Sequence, residues 1–286
     1  MRRRDSRRIP FTFDPEWTSH NHTRRRRYRY AIAASHHVTW FLGKQFPHAF
    51  PLLFVLGFPK SGTSWVCQMV ADYLRVPFPQ NSLLPIGFPA VVHGHELVTS
   101  RYPRAIYVLR DGRDAMVSLY FHYLAMTEKR QPGDDAAGQP ARLPFASFVE
   151  QQLRRPWGSP ANWGEHARSY FNHADTNCAL IRYEEMLSDP EDALQRVLRD
   201  VTNEECNPQR VREAVQRFAF QQQSGRATGE EDRKSYLRKG QAGDWVNHFS
   251  PEAAKAFAQH CGDMLIAAGY EQNDGWVRQF SRRMAA

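Results

Sequence analysis

The stretch from Pro51 to Leu74, PLLFVLGFPKSGTSWVCQMVADYL, constrains the fold more than any other. Leu52 to Leu56 is an apolar run with the length of a strand buried on both faces. Gly57, Phe58, Pro59, Lys60, Ser61, Gly62 and Thr63 follow as a turn with two glycines and a lysine, and with Ser64 it carries three hydroxyls. Beyond it Val66, Met69, Val70, Tyr73 and Leu74 share one face of a helix. A turn between strand and helix aims backbone N–H groups and the helix dipole at one point. Lys60 adds a full charge, so the turn predicts a site for a phosphate or a similar oxyanion.

The Walker A loop has the pattern G-x-x-x-x-G-K-[ST]. Gly57 and Gly62 keep that separation, but Thr63 stands in the lysine position and Lys60 lies inside the loop. A lysine moved back by three residues reaches a different ligand atom. The plainer reading is a solvated turn that contains Gly and Lys. The strand before it, the helix after it and the hydroxyls weigh against that reading.

Two similar units follow. Arg104 to Arg110 (RAIYVLR) reads as a second buried strand ending in arginine. After Asp111-Gly112-Arg113-Asp114 comes a helix with Val117, Tyr120, Phe121 and Leu124 on one face, and Ser118 lies in its second turn. In open parallel sheets ligands bind at the carboxyl ends of strands. Arg110 offers a bidentate fork there and Ser118 a hydroxyl; in isolation, an Arg–Asp ion-pair turn is the simpler account. Cys178 to Tyr183 (CALIRY) reads as a third strand, and a helix with Pro190 near its start carries Leu194, Val197, Leu198 and Val201. A further helix carries Val211, Ala214, Val215 and Phe218. Polar residues from Gln221 to Ser235 then lead to Leu237-Arg238-Lys239-Gly240 and Gln241-Ala242-Gly243-Asp244-Trp245, a second anion-site candidate. The last helix is expected from Ser250-Pro251-Glu252 through Phe257, Cys261, Met264, Leu265 and Ala268. The class is α/β.

Between these units, the Pro-rich apolar run VPFPQNSLLPIGFPAVV cannot be a long helix. It reads as a loop that either lines an acceptor pocket or simply packs. Val91 to Leu97 (VVHGHEL) places the imidazoles of His93 and His95 on one side of an extended chain. A metal pair there lacks an evident third ligand. A general base is the alternative, and a solvated histidine the bland one. Thr127 to Leu143 reads as a mobile loop, Phe145 to Tyr170 as helical, and Tyr30 to Phe41 as a short helix packed on the domain.

Charge matters at the N-terminus. Residues 1–30 hold ten arginines against Asp5, Asp14 and Glu16, so they carry nearly all of the net charge of +8. Such an arm can meet an anionic membrane surface or nucleic acid; a solvated tail is the alternative. The expected division is an Arg-rich extension over 1–30 and one domain over 31–286. Four dispersed cysteines (Cys67, Cys178, Cys206, Cys261) form no C-x-x-C pair and fit a reducing cytoplasm. No apolar run has the ~18 residues of a membrane span.

Three motifs together resemble one family, the sulfotransferases that use 3′-phosphoadenosine 5′-phosphosulfate (PAPS): FPKSGTSW (Phe58–Trp65), YVLRDGRDAMVSLYFHY (Tyr107–Tyr123) and RKGQAGDW (Arg238–Trp245). The resemblance runs from about Pro51 to Tyr270. It implies a P-loop-type three-layer fold, a central parallel sheet flanked by helices. It implies that Lys60 stabilises the bridging oxygen as sulfate leaves, that Ser61, Gly62, Thr63 and Ser64 surround the 5′-phosphate, and that Trp65 stacks on adenine. Arg110 and Ser118 are implied to hold the 3′-phosphate, Tyr183 to contact adenine, and Arg238, Lys239 and Gly240 to close on the 3′-phosphate. The family's base is the histidine of a K-x-H segment. His95 matches it, but His93 stands in place of the lysine, which keeps His93 and Glu96 open as alternatives. The segment from Trp65 to His95 is shorter than in phenol- and steroid-type relatives.

The implied reaction is in-line, metal-independent sulfuryl transfer to a hydroxyl. The acceptor is a small molecule, a glycan or a lipid headgroup. The expected place is the cytoplasm, with peripheral membrane contact through residues 1–30 and a homodimer as options. The rival readings are a P-loop nucleotide kinase or NTPase, against which the displaced lysine and RKGxxGDW speak, and an anion-binding module acting through the arginine arm.

Overall fold

The structure, a computed structural model, describes residues 22–46, 48–76, 78, 89–102, 104–128, 143–173 and 177–285. The expected loops around Leu83 and over 129–142, and residues 1–21 of the arm, lie outside the described residues.

Four parallel strands form one sheet in the order β2-β1-β3-β4: β1 (Leu52–Leu56), β2 (Ala90–Gly94), β3 (Ala105–Leu109) and β4 (Cys178–Arg182). Every residue of β1, β2 and β3 is buried, which explains why they read as continuous apolar runs without alternation. Alternate side chains still separate into two cores. Leu53, Val55, Ile106, Val108 and Ile181 face α2 (Thr63–Leu74), α7 (Pro190–Thr202) and α8 (Pro208–Arg217). Phe54, Leu56, Tyr107 and Leu109 face α3 (Gly112–Glu128), α4 (Phe145–Arg154), α5 (Trp163–Phe171) and α10 (Pro251–Ala267). The result is the expected three-layer α/β fold.

The strand order reverses direction at β1: the chain goes to β2 on one side, then to β3 on the other. That is a topological switch point, where the loops at the carboxyl ends diverge and leave a crevice. Each strand ends by delivering one of the residues singled out in the sequence: Lys60 after β1, His95 after β2, Arg110 after β3 and Tyr183 after β4.

Three elements differ from expectation. The helix expected over Tyr30–Phe41 runs His22–Gln45 as α1, taking in Arg24–Arg27 and Arg29, because arginine and alanine are strong helix formers. Tyr183 opens the short helix α6 (Tyr183–Ser188) and does not end β4. The helix from Pro251 is not the last, since α11 (Trp276–Ala285) follows and packs Trp276 and Phe280 against Trp245. Trp276, Val277 and Phe280 fall at i, i+1 and i+4, so the helical period is present in the sequence. Between α8 and α10 lie α9 (Phe220–Ser224) and a 3-10 turn at Asp244–Asn247.

Candidate active site

The turn after β1 is tight for steric reasons. A Cβ on Gly57 would stand 2.7 Å from the Val108 carbonyl oxygen and 2.7 Å from the Thr63 methyl. Lys60 and Gly62 both have left-handed backbones (φ 69° and 92°); for lysine this costs on the order of 1–3 kcal/mol, held by its surroundings. α2 starts at Thr63 with no side-chain cap, so its first-turn N–H groups keep no side-chain acceptor of their own. The Thr63 hydroxyl lies 2.8 Å from His93 Nε2, which ties the turn to β2.

The Lys60 ammonium lies over the Tyr236 ring at 3.5 Å and donates to the Tyr236 carbonyl at 3.3 Å. Burial, then the positive charges of Arg110 and Arg238, lower its pKa to about 7. A group so held gains strongly from an incoming anion.

Arg110 donates to the Lys60 carbonyl at 2.9 Å and the Gln241 carbonyl at 3.3 Å, and its guanidinium stacks on Tyr183 at 4.1 Å. The simpler account, an Arg–Asp ion-pair turn, is met in this turn by Arg113 with Asp111 and not by Arg110. The Arg110 Nε and the Ser61 hydroxyl are buried with no hydrogen-bond partner. Buried polar groups are normally satisfied, so both fit a site shaped for an anionic ligand.

His95 donates from Nδ1 to the Gly57 carbonyl at 2.7 Å, since a carbonyl oxygen only accepts. That leaves Nε2 with its lone pair. Burial lowers the His95 pKa; the bond to Gly57 opposes this and the Lys60 charge adds to it. His93 packs edge-on against it at 4.6 Å, inside β2 and bonded to Thr63. Glu96 faces Lys44 at 3.8 Å.

The RKG segment is more constrained than the sequence indicated. Arg238 bridges Glu231 and Asp244, and Lys239 donates to Asp244 at 2.6 Å. Burial alone would raise the Asp244 carboxyl, but hydrogen bonds from Lys239, Arg238 and Asn247 hold it well below its usual range. Glu231, Asp244 and His248 bring one ligand atom each within 4.8 Å of one another. Both carboxylates are occupied by Arg238, so this is a cationic clamp and not a metal centre. Asp114 at the start of α3 anchors it, accepting from Gly243 N at 2.6 Å and Trp245 N at 2.8 Å.

All the site residues named from sequence except Ser61, Thr63 and the alternative base Glu96 line one cleft of about 420 Å³. Trp65 lies edge-on to Tyr183 at 6.1 Å, with its indole N–H on the Phe218 carbonyl. Phe78, Leu187, Phe218 and Phe220 add apolar wall. Sequence reasoning missed Tyr236, Asp114 and His166. The first two sit inside recognised motifs or beside them, whereas nothing local marks His166.

Known proteins are similar to this chain in sequence and in fold. A family model described as Sulfotransferase domain matches residues 89–272. Mouse (Mus musculus) sulfotransferase 2A2 is 27% identical over 245 residues, covering 72% of this chain and 81% of that one. Rat (Rattus norvegicus) sulfotransferase 2A1 is 26% identical over 284 residues, covering 77% and 92%. Among solved structures, mouse sulfotransferase SULT7A1 complexed with PAP superposes with a TM-score of 0.59 at 19% identity, covering 88% of this chain and 95% of that one. Retinol dehydratase in complex with androsterone and the inactive cofactor PAP gives 0.56 at 16% identity, covering 87% of each. The chain belongs to the sulfotransferase domain family, enzymes that transfer a sulfuryl group from PAPS to a hydroxyl acceptor.

Proposed function

We propose that Lys60 and His95 carry the chemistry, in a cleft whose charged walls bind the nucleotide. The observation that supports this best is the pairing of a depressed lysine with a histidine whose tautomer is fixed, on the ends of adjacent strands β1 and β2. His95 Nε2 takes the acceptor proton; such general-base help is worth about 10²–10⁴-fold. Lys60 and the N–H groups at the start of α2 meet the negative charge that grows on the leaving oxygen, which is often the largest single contribution.

PAPS supplies the activated sulfuryl group and leaves as a bisphosphate nucleotide. Ser61, Gly62, Thr63 and Ser64 would hold its 5′ side, Trp65 and Tyr183 the adenine, and Arg110, Ser118, Arg238, Lys239 and Gly240 the 3′-phosphate. The buried unpartnered Arg110 Nε supports that assignment. His93 and Glu96 are weaker candidates for the base, because the Nε2 of His93 is engaged by the Thr63 hydroxyl, whereas Glu96 faces Lys44 and does not line the cleft.

The acceptor we favour is a small alcohol or phenol with an apolar part, which suits the phenylalanines of the cleft and the androsterone bound by retinol dehydratase. Peripheral contact of residues 1–30 with an anionic membrane is a further part of this reading. Its support is the arginine content together with the exposed Tyr30, Val38 and Phe41 on α1; no helix among the described residues is long and apolar enough to cross a membrane. The deciding experiment uses labelled PAPS with a panel of hydroxyl acceptors. Lys60→Ala and His95→Ala should each lower turnover by orders of magnitude, and His95→Ala should still bind PAP without Mg²⁺. Full turnover in His95→Ala would sink the base assignment.

A further inference from the structure

Outside the cleft, α5 carries a histidine with no exposed surface, His166. Its Nε2 lies 3.1 Å from the backbone carbonyl oxygen of His95, and its Nδ1 lies 2.9 Å from the Tyr107 hydroxyl on β3. The carbonyl only accepts, so the His166 proton is on Nε2. Nδ1 is then an acceptor, and the Tyr107 hydroxyl donates to it. The Tyr107 ring is itself stacked on Tyr170 at 5.0 Å and 9°.

His95 is therefore pinned twice. Its ring donates to the Gly57 carbonyl at 2.7 Å, and its own carbonyl accepts from His166. The residue sits just past the end of β2. Every bond in the chain Tyr107–His166–His95–Gly57 has one permitted polarity.

We infer that His166 is a positioning residue for sulfuryl transfer: it clamps the His95 carbonyl so that the ring presents an unprotonated Nε2 to the cleft, and the Tyr107 hydroxyl holds the far side of the His166 ring. This rests on the reading of His95 as the base.

The clamp must survive the moment when His95 gains charge. Burial pushes the His166 pKa down to about 4, against the bond it makes to His95 and with the His95 charge. His166 thus stays neutral and keeps donating. The groups facing it are Phe58, edge-on at 5.9 Å, Tyr107 and the His95 carbonyl. Those facing His95 are His93, Lys60, Glu96 and the Gly57 carbonyl.

The test compares His166→Phe, His166→Gln and Tyr107→Phe in the full chain. Labelled PAPS with 2-naphthol reads turnover, PAP titration reads nucleotide binding, and ¹⁵N-histidine spectra of the PAP complex read tautomers. His166→Phe should lower kcat about 10- to 100-fold, the cost of a small misplacement. It should leave the PAP Kd within about twofold and move the His95 titration towards the ordinary value of about 6.5. His166→Gln, which keeps an N–H donor, should recover most of the rate. Unchanged kcat and an unchanged His95 midpoint, with only Tm reduced, would overturn the inference. If His166→Phe does not fold, the wild-type and Tyr107→Phe spectra decide. His166 should be the neutral Nε2–H tautomer from pH 8 to 5 in the wild type and keep that tautomer in Tyr107→Phe, because the His95 carbonyl still dictates it; a cation near pH 6.5, or an Nδ1–H tautomer, in the wild type overturns it. The two readings fail separately. Full activity in His95→Ala removes the base, while an inactive His95→Ala beside an unaffected His166→Phe removes only the clamp.

Discussion

Raising the pH from 7 to 9 should weaken binding of the product nucleotide PAP, with Lys60 as the cause. In the free protein its ammonium has a pKa of about 7, lowered by burial and by Arg110 and Arg238. Bound phosphate favours the charged form, so the pKa rises in the complex and binding takes up a proton. At pH 7 about half of the free protein carries the charge, and at pH 9 about one part in a hundred. Affinity should therefore fall roughly 50-fold over that window, with proton uptake of about 0.5 at pH 7 rising to about 0.9 at pH 8. The phosphates themselves titrate near pH 6 and add little above 7. Calorimetry in two buffers of unlike ionisation enthalpy reads both quantities. Lys60→Met should bind more weakly but with a flat profile. A flat wild-type profile between pH 7 and 9, or a slope that persists in Lys60→Met, would refute the reasoning.

Gly57→Ala should disable the site while sparing most of the fold: the new Cβ meets the Val108 carbonyl at 2.7 Å, which cannot step aside, for about 1–3 kcal/mol of strain and a loss of PAP binding by titration. Asp114→Ala leaves the Gly243 and Trp245 N–H groups without their acceptor; a stability loss of about 2–4 kcal/mol in urea and weaker PAP binding are expected, and unchanged binding would detach the clamp from α3. Acid should destabilise the wild type through His166. Its folded pKa of about 4 lies below the unfolded value of 6.5, so the unfolded chain binds the proton first and stability drops as pH falls from 6.5 towards 4, by up to ~3 kcal/mol. A urea midpoint in His166→Gln that falls as steeply over that range would count against this.

The chemistry-bearing loops were legible because each uses local rules. The run Leu52–Leu56 followed by Gly57–Gly62 can only be a strand feeding a turn, and glycine at φ 92° is a one-residue requirement visible in the chain. Arg110 at the end of RAIYVLR and the pair Arg238-Lys239 announce anion binding by charge and position. The full length of α1 was less visible, since its Arg-rich first turns carry no apolar period; α11, with Trp276, Val277 and Phe280 on one face, was legible but passed over.

By itself the sequence determined the α/β class, the parallel strands, the oxyanion turn with its displaced lysine and the family likeness. Only the tertiary structure decided what those residues do to one another. The depressed Lys60 comes first from its burial in the folded protein and then from Arg110 and Arg238, which arrive from distant segments of the chain. The fixed tautomer of His95 comes from a carbonyl on the neighbouring strand's loop, and its backbone clamp from a helix 71 residues away in sequence. Propensity and spacing act over a few residues, whereas Coulomb fields and hydrogen bonds act over a few ångströms, and only folding brings the two scales together.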